Sequence, residues 1–511
     1  MSSEPKKVDR RKFIYAGLGA VALIAIGAAA YVAMNPPVVT QTVTTSTTVP
    51  TTSLVTTTMP TTSVITTTVP TTSVVTTTAP IPTHLRYFTH QVFEAGVKEI
   101  WEDVINMYQQ RNPGVTVELY GAPWSKAQDV LIVELQTSAA PDIVMLPWPP
   151  ITPFAPFLEP LDDYMKKYGW NLDDIAYQRE PDLAVWSKES GGDDKIYAAL
   201  HSSGEESALI YRRDIFKERG IPDPQEEGYP KWSLDEFLNV IRKCTYTKSD
   251  GTKVYGYAFP TNPADGVSRW GEDWVDYLLA AGGGLVRPEQ PGKIICGVKP
   301  YIDANVEVGE FMRTLVKEEL VPVGTLKPKY FDLQIMGQVC MTRHGPWQFG
   351  LFASTVEGYG GGHPEQMPNV SATLLPFFGK GWKYADETGW STAFGIAKNS
   401  PHKEEAFKFI NLACSPEVCK IFTEKLFWLF CNKKVLSPDV FDKHPFLKAY
   451  ATAQEIAEVH AYGLTLPGFA AKSTEMWKAW MDTAQKILYT NENIADLYVQ
   501  LQDRLETIAK G

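Results

Sequence analysis

The sequence predicts an α/β fold, a largely parallel sheet with helices on both faces, displayed outside a membrane on an apolar helix and a Thr/Ser/Pro-rich strip. Three observations carry this expectation. Strands and amphipathic helices alternate from residue 85 onward; residues 84–511 are enough chain for two lobes with their own cores; and the first 83 residues hold an uncharged run followed by a low-complexity repeat.

Residues 15–34 carry no charged side chain, and Lys6, Lys7, Arg10, Arg11 and Lys12 precede them. Twenty helical residues at about 1.5 Å each span the roughly 30 Å hydrocarbon core, and the basic flank keeps residues 1–14 cytoplasmic. The run reads as a retained transmembrane anchor, which places the rest of the chain on the extracellular face of the cell membrane. The alternative is a signal peptide cleaved after Ala28-Ala29-Ala30. Asp9-Arg10-Arg11-Lys12-Phe13-Ile14 resembles a twin-arginine export signal, with Asp9 in place of the usual Ser or Thr. No cysteine precedes Cys244, so a lipid-modified N-terminal cysteine is excluded.

Between residues 50 and 80 a ten-residue unit opening on Pro-Thr-Thr-Ser occurs three times. Such composition buries too little to offset chain entropy, so residues 35–83 are expected to form a disordered, extended stalk, with hydroxyls suited to O-glycosylation. Residues 36–83 reach about 150 Å if fully extended at ~3.1 Å per residue.

The chain holds 48 basic and 59 acidic residues; the first twelve residues take five and two of these, leaving 43 against 57 outside. That balance argues against nucleic acid or anionic lipid as a partner. The six cysteines, Cys244, Cys296, Cys340, Cys414, Cys419 and Cys431, permit disulfides outside the cell, and fifteen complete pairings are open. Their spacing matches no zinc site, and neither a metal nor a cofactor is expected.

"LRYF" at 85–88 reads as a strand. Val97, Ile100, Trp101, Val104, Ile105 and Tyr108 then fall on one helical face until Asn112-Pro113-Gly114 stops it. "VTVEL" at 115–119 is the next strand, residues 125–137 the next helix, and "DIVML" at 142–146 a fully apolar third strand. Ligands bind beyond the carboxyl ends of such strands, which gathers Thr89-His90-Gln91, Ala122-Pro123-Trp124 and Pro147-Trp148-Pro149 around one mouth. Farther on, Ser233-Leu234-Asp235-Glu236 is a capping box, and Ser415-Pro416 is an N-cap with Pro at the first helical position. Two amphipathic helices close the chain, one bearing Trp477 and Trp480, the other Leu497, Tyr498 and Leu501. Gly282-Gly283-Gly284 and Gly360-Gly361-Gly362 read as turns.

In this order "VINMYQQRNPGVTVEL", "SAAPDIVML", "YAALHSSGEESALIYRRDIFKERGI", "YPKWSLDEFLNVIRKC", "GQVCMTRHGPWQFG", "ATLLPFFGKG", "GWSTAFGIAKNSPHKEEAFKFINLACSPE" and "LPGFAAKSTEMWKAW" resemble the landmarks of the extracellular solute-binding proteins of family 1, the maltose-binding type of sugar ABC transporters, in an archaeal-style, membrane-anchored form. The resemblance runs from about residue 85 to 509. It implies a two-lobed periplasmic-binding-protein-like fold of type II that closes by a hinge on a sugar. One lobe comprises about 84–200 and 376–430, the other about 206–370 and 436–511. Crossings are expected near residues 199–205, 370–376 and 431–435. It also implies a permease and, through it, a cytoplasmic ATPase as partners of a monomeric, non-enzymatic receptor.

A sugar offers C–H faces to aromatic rings and rim hydroxyls to carboxylates and amides, so its site needs Trp and Tyr among Asp, Glu, Asn and Gln. All 14 tryptophans lie outside the stalk. By resemblance Trp347, in His344-Gly345-Pro346-Trp347, is a stacking platform, as are Trp390 after Gly389 and Trp477, which core packing fits equally well. Trp148 sits in the Pro-rich loop after the third strand. Glu205 stands where the family has a ligand-contacting glutamate, with Glu206 one register away; His90 and Gln91 follow strand one, and Asn262 lies in a rim turn. Trp270 and Trp274 suit a buried helix face, and Asp142 a structural turn. Asn369-Val370-Ser371 is an N-glycosylation sequon. A tethered glycoside hydrolase would also use Trp platforms, together with paired carboxylates roughly 5–9.5 Å apart. A coat protein would need only the stalk. The same fold binding a peptide, polyamine or metal complex is a further alternative.

Overall fold

The computed structural model describes residues 51–55, 67–71 and 82–510, except 95, 147–150, 177, 180–182, 189, 203–206, 260–273, 325–329, 354–362, 388–391, 462–465 and 470–471. The expected anchor, its basic flank and most of the stalk lie outside these residues. Among the described residues no helix is long and apolar enough to cross a membrane. The chain divides into two units at residues 81 and 82.

In the first unit the expectation of a disordered strip needs correction. Thr51–Val55 pairs antiparallel with Thr67–Thr71, Thr51 opposite Thr71 and Val55 opposite Thr67. The strands are mostly β-branched Thr and Val, which favour pleated backbone, and a lone two-stranded ribbon is only marginally stable.

The second unit is built on two five-stranded sheets. The first contains β1 (Thr83–Phe88), β2 (Val115–Tyr120), β3 (Ile143–Leu146) and β4 (Ala199–Ser202); the second begins with β5 (Ala208–Arg212), β6 (Tyr246–Thr247), β7 (Lys253–Ala258), β8 (Val339–Arg343) and β9 (Val370–Leu374). The chain then returns to the first sheet as β10 (Thr392–Ile396), giving strand orders β2-β1-β3-β10-β4 and β6-β7-β8-β5-β9. Strand β1 runs parallel to β2 and β3, whereas β10 is antiparallel to both its neighbours.

Alternation along β1 sends Leu85 and Tyr87 to one core and Phe88 to the other, so the sheet is covered on both faces as expected. The helix α1 (Val97–Arg111) buries the six residues that the 3.6 period selects, and α2 (Trp124–Leu135) follows. In the second lobe α3 (Leu234–Cys244) starts at Ser233, whose Oγ accepts from Glu236 N at 3.3 Å while Glu236 Oε2 accepts from Ser233 N at 2.8 Å. The second-lobe core holds α4 (Tyr301–Lys317), and α5 (Trp347–Ala353) follows β8. Helices α6 (Lys403–Ala413) and α7 (Pro416–Leu426) belong to the first lobe; Ser415 caps α7 at Val418 N. Helices α8 (Leu447–Ile456), α9 (Ser473–Tyr489) and α10 (Ile494–Lys510) complete the second.

The first crossing falls between Ser202 of β4 and Ala208 of β5. The second lies later than residues 370–376. Leu375, Phe377 and Tyr384 are buried in the second lobe's core, and Ala385–Glu387 pairs in parallel with Val459–Ala461, so the chain changes lobe between Glu387 and Thr392. Burial of these side chains keeps the segment in the second lobe beyond the exit that the resemblance implied. The third crossing follows Val435, which packs in the first lobe, and precedes Val440, which packs with Ala208 and Ile210 of β5.

Candidate functional site

The carboxyl ends of the parallel strands carry the polar loops of both lobes. Beyond β1, Thr89 N donates to Tyr120 O at 2.9 Å, and Thr89 Oγ1 accepts from Gln91 N at 3.2 Å. The loop after β2 presses so closely on this turn that a Cβ at Gly121 would lie 1.8 Å from the Thr89 carbonyl oxygen. Only glycine fits there. Gln91 is buried, and its Oε1 accepts from Trp101 Nε1 at 2.7 Å, so as the structure stands its amide anchors the turn to the core. His90 is buried as well, with Nε2 at 3.6 Å from Glu94 Oε1. Loss of hydration pushes the imidazole down to about 3 and the Glu94 carboxyl up to about 7. At neutral pH the imidazole is therefore neutral and the carboxyl about half protonated. Between them Phe93 is 59% exposed, an aromatic that sequence pattern alone does not distinguish from a core residue.

Strand β8 ends at Arg343, which forms a fully buried ion pair with Asp276 of the helix Val275–Ala280. His344-Gly345-Pro346 then delivers Trp347 to the start of α5. Tyr450 Oη of α8 donates to His344 O at 2.7 Å, and the His344 ring meets the Trp347 indole edge-on at 4.3 Å. The next residue, Gln348, donates from Nε2 to Gln334 Oε1 at 2.6 Å; Gln334 Nε2 in turn donates to Ile210 O of β5 at 2.9 Å. Trp347 is half-buried and packs against the first lobe's core as well as the second-lobe cluster of Ala208, Ile210, Phe349 and Tyr450. It stands on the seam between the lobes, on a turn fixed from both sides.

Trp477 is 3% exposed within the second lobe's core, and its indole Nε1 has no hydrogen-bond partner among the described residues. A buried indole N–H ordinarily has one. Trp274 is buried edge-to-face on Trp480 at 5.4 Å, in keeping with core packing. Asp142 accepts from Arg86 N at 2.9 Å and Ser400 Oγ at 2.5 Å, a structural role. Where the chain leaves for the first lobe, buried Asp386 accepts from His460 Nδ1 at 2.6 Å, a pair that nothing in the sequence marks. Trp148, Glu205, Glu206, Asn262 and Trp390 lie outside the described residues. Asn369 is half-buried before β9, and the Ser371 hydroxyl is buried against Gln225. Among the described residues no three His, Cys, Asp or Glu side chains converge to hold a metal ion.

Residues 90–418 match the family model of bacterial extracellular solute-binding proteins. The chain belongs to that family. Solved structures agree with the two-lobed fold of this solute-binding protein. The maltose-bound protein of T. maritima is 19% identical, with a TM-score of 0.63 over 83% of this chain and 100% of that one. An ABC substrate-binding protein of Listeria monocytogenes in complex with cycloalternan is 17% identical, with a TM-score of 0.62 over 83% and 98%. UgpB of Mycobacterium tuberculosis, in complex with glycerophosphocholine, is 16% identical, with a TM-score of 0.63 over 83% and 98%. Identities this low speak to the fold.

Proposed function

We propose that this solute-binding protein is the extracellular receptor of an ABC transporter, closing its lobes on a sugar or oligosaccharide and handing it unaltered to the permease. One observation carries the reading: a tryptophan held rigidly at the end of β8 and touching both lobes. An indole face so placed changes its surroundings when the lobes move, and it suits the C–H face of a pyranose. Sugar complexes among the similar structures support the ligand class, and the family supports the permease as partner. Trp390, Trp148, Glu205 and Asn262 are proposed as further contacts, with Trp477 as a donor whose indole N–H a ligand hydroxyl would satisfy. The uncharged N-terminal run is proposed as the anchor and the Thr-rich strip as the tether. Tethering raises the receptor's effective concentration at its permease.

The test is a thermal-shift screen of residues 82–511 against mono- and oligosaccharides, since a ligand bound only by the folded state raises Tm. Polyamines, peptides and glycerophosphodiesters belong in the same screen. A stabilising sugar recovered intact after long incubation supports a receptor; a cleaved one points to a hydrolase; stabilisation by non-sugars alone overturns the ligand class.

A further inference from the structure

Four of the six buried thiols have oxygen partners. Cys296 Sγ lies 3.6 Å from Gln502 Oε1, Cys414 Sγ 3.9 Å from Leu200 O, Cys419 Sγ 3.7 Å from Ala413 O, and Cys431 Sγ 3.4 Å from Ser202 O. The remaining two, Cys244 and Cys340, are buried as neighbours that act on each other. Their meeting follows from the architecture. Cys244 is the last residue of α3, and Cys340 is the second residue of β8. In the parallel pair β7–β8, Tyr255 aligns with Val339 and Tyr257 with Met341, so Gly256 and Cys340 share the opposite face. At Gly256 a Cβ would sit 2.0 Å from the Ile241 carbonyl oxygen, which shows how closely the last turn of α3 lies on that face. The glycine lets the helix end settle, and the settled helix end brings one sulfur to the other.

We infer that Cys244 and Cys340 form a disulfide when the chain folds under oxidising conditions, riveting α3 to the central strands of the second lobe. In place of the fifteen complete pairings open to six cysteines, the fold selects this single link and leaves four thiols. Each sulfur loses one proton and one electron as the S–S bond forms. The two electrons and two protons convert a small-molecule disulfide, such as oxidised glutathione, into two thiols. Both cysteines are fully buried in the folded chain, so exchange takes place before α3 closes on the sheet. Once closed, burial keeps the Cys340 thiol from ionising and shields the bond from reductant.

The full chain is refolded from denaturant with oxidised glutathione, then unfolded and alkylated with iodoacetamide without reduction. The expected product is two hydrogens lighter than the all-thiol chain before alkylation, then takes up four alkyl groups, on Cys296, Cys414, Cys419 and Cys431, and yields a joined Cys244–Cys340 peptide. Six alkyl groups, or a different joined pair, overturn the inference. In the Cys340→Ala variant Cys244 becomes alkylated, giving five groups; continued protection of Cys244 also overturns it. The oxidised chain melts higher than the reduced chain by about 5 °C, the effect of closing a loop of roughly 100 residues in a domain of this size. Equal melting temperatures count against a link that is formed in the native geometry.

Discussion

Removing Asp276 takes from Arg343, whose side chain is 0% exposed, the buried carboxylate it pairs with. Two unit charges about 4 Å apart attract by roughly 4 kcal/mol at an effective dielectric of 20, and each ion has given up its hydration to enter the core. The attraction disappears with either partner, whereas the lost hydration of the survivor does not return. Asp276→Leu and Arg343→Met should therefore each lower the unfolding free energy by about 3–5 kcal/mol. The double variant Asp276→Leu/Arg343→Met buries apolar groups of similar volume and should be more stable than either single one, with a coupling of at least ~2 kcal/mol. Urea unfolding of the four proteins, followed by circular dichroism and tryptophan emission, measures the cycle. Single variants within about 1 kcal/mol of the parent, or strict additivity in the double, would refute the claim that the pair is desolvated and mutually dependent.

Trp347→Ala should weaken binding of the sugar found in the screen about tenfold or more, read by calorimetry, with the far-ultraviolet spectrum unchanged; unaltered affinity removes the platform from the site. His201 is enclosed by Trp101, Phe394, Phe422 and Phe430, and burial lowers its pKa to about 3 from an ordinary 6.5. The unfolded chain takes up this proton below pH 6.5 and the folded chain does not, so stability falls as pH drops from 6.5 towards 3, by about 1.4 kcal/mol per pH unit. His201→Phe should reduce the loss between pH 6.5 and 4 by about 3 kcal/mol in urea titrations; an unchanged pH slope contradicts this. Gly121→Ala drives a methyl group into the Thr89 carbonyl and should lower stability by more than ~2 kcal/mol, measurable as a fall in Tm. Gln91→Met leaves the Trp101 N–H without its acceptor and should cost about 1–3 kcal/mol in the same assay.

The periodic parts of the fold were legible in the sequence because their signals are local. The six apolar positions of α1 lie three and four apart, and Ser233 and Glu236 specify their own helix start within four residues. The second crossing was misplaced because it was carried over from the resemblance by order of landmarks, while the buried hydrogen bond from Tyr384 Oη to Ser207 O at 2.9 Å, which holds this segment in the second lobe, spans 177 residues. The same limit governs the site. Sequence order brought His344-Gly345-Pro346-Trp347 to notice as a motif, yet its contact with the first lobe is a tertiary fact. Gln91 was chosen for its loop position, and the distant Trp101 indole decides where its amide points. Asp276 and Arg343 are 67 residues apart with no shared pattern, so their pairing was invisible. The ribbon in the Thr-rich strip was missed for another reason: low apolar content argued against a packed core but does not forbid two β-branched strands from pairing.

The strand order of the first sheet has a consequence for how the molecule can be made and divided. Its β10 lies between β3 and β4, although about 190 residues of the other lobe are translated before it. A ribosome that has emitted everything through β4 has therefore produced a sheet with an open slot, its β3 edge exposed until residue 396 arrives. No single cut of the backbone yields either lobe whole, and a protease nick in the first crossing would leave both fragments needing each other. For a protein made of two lobes, that interleaving ensures that neither exists as a separate, finished product.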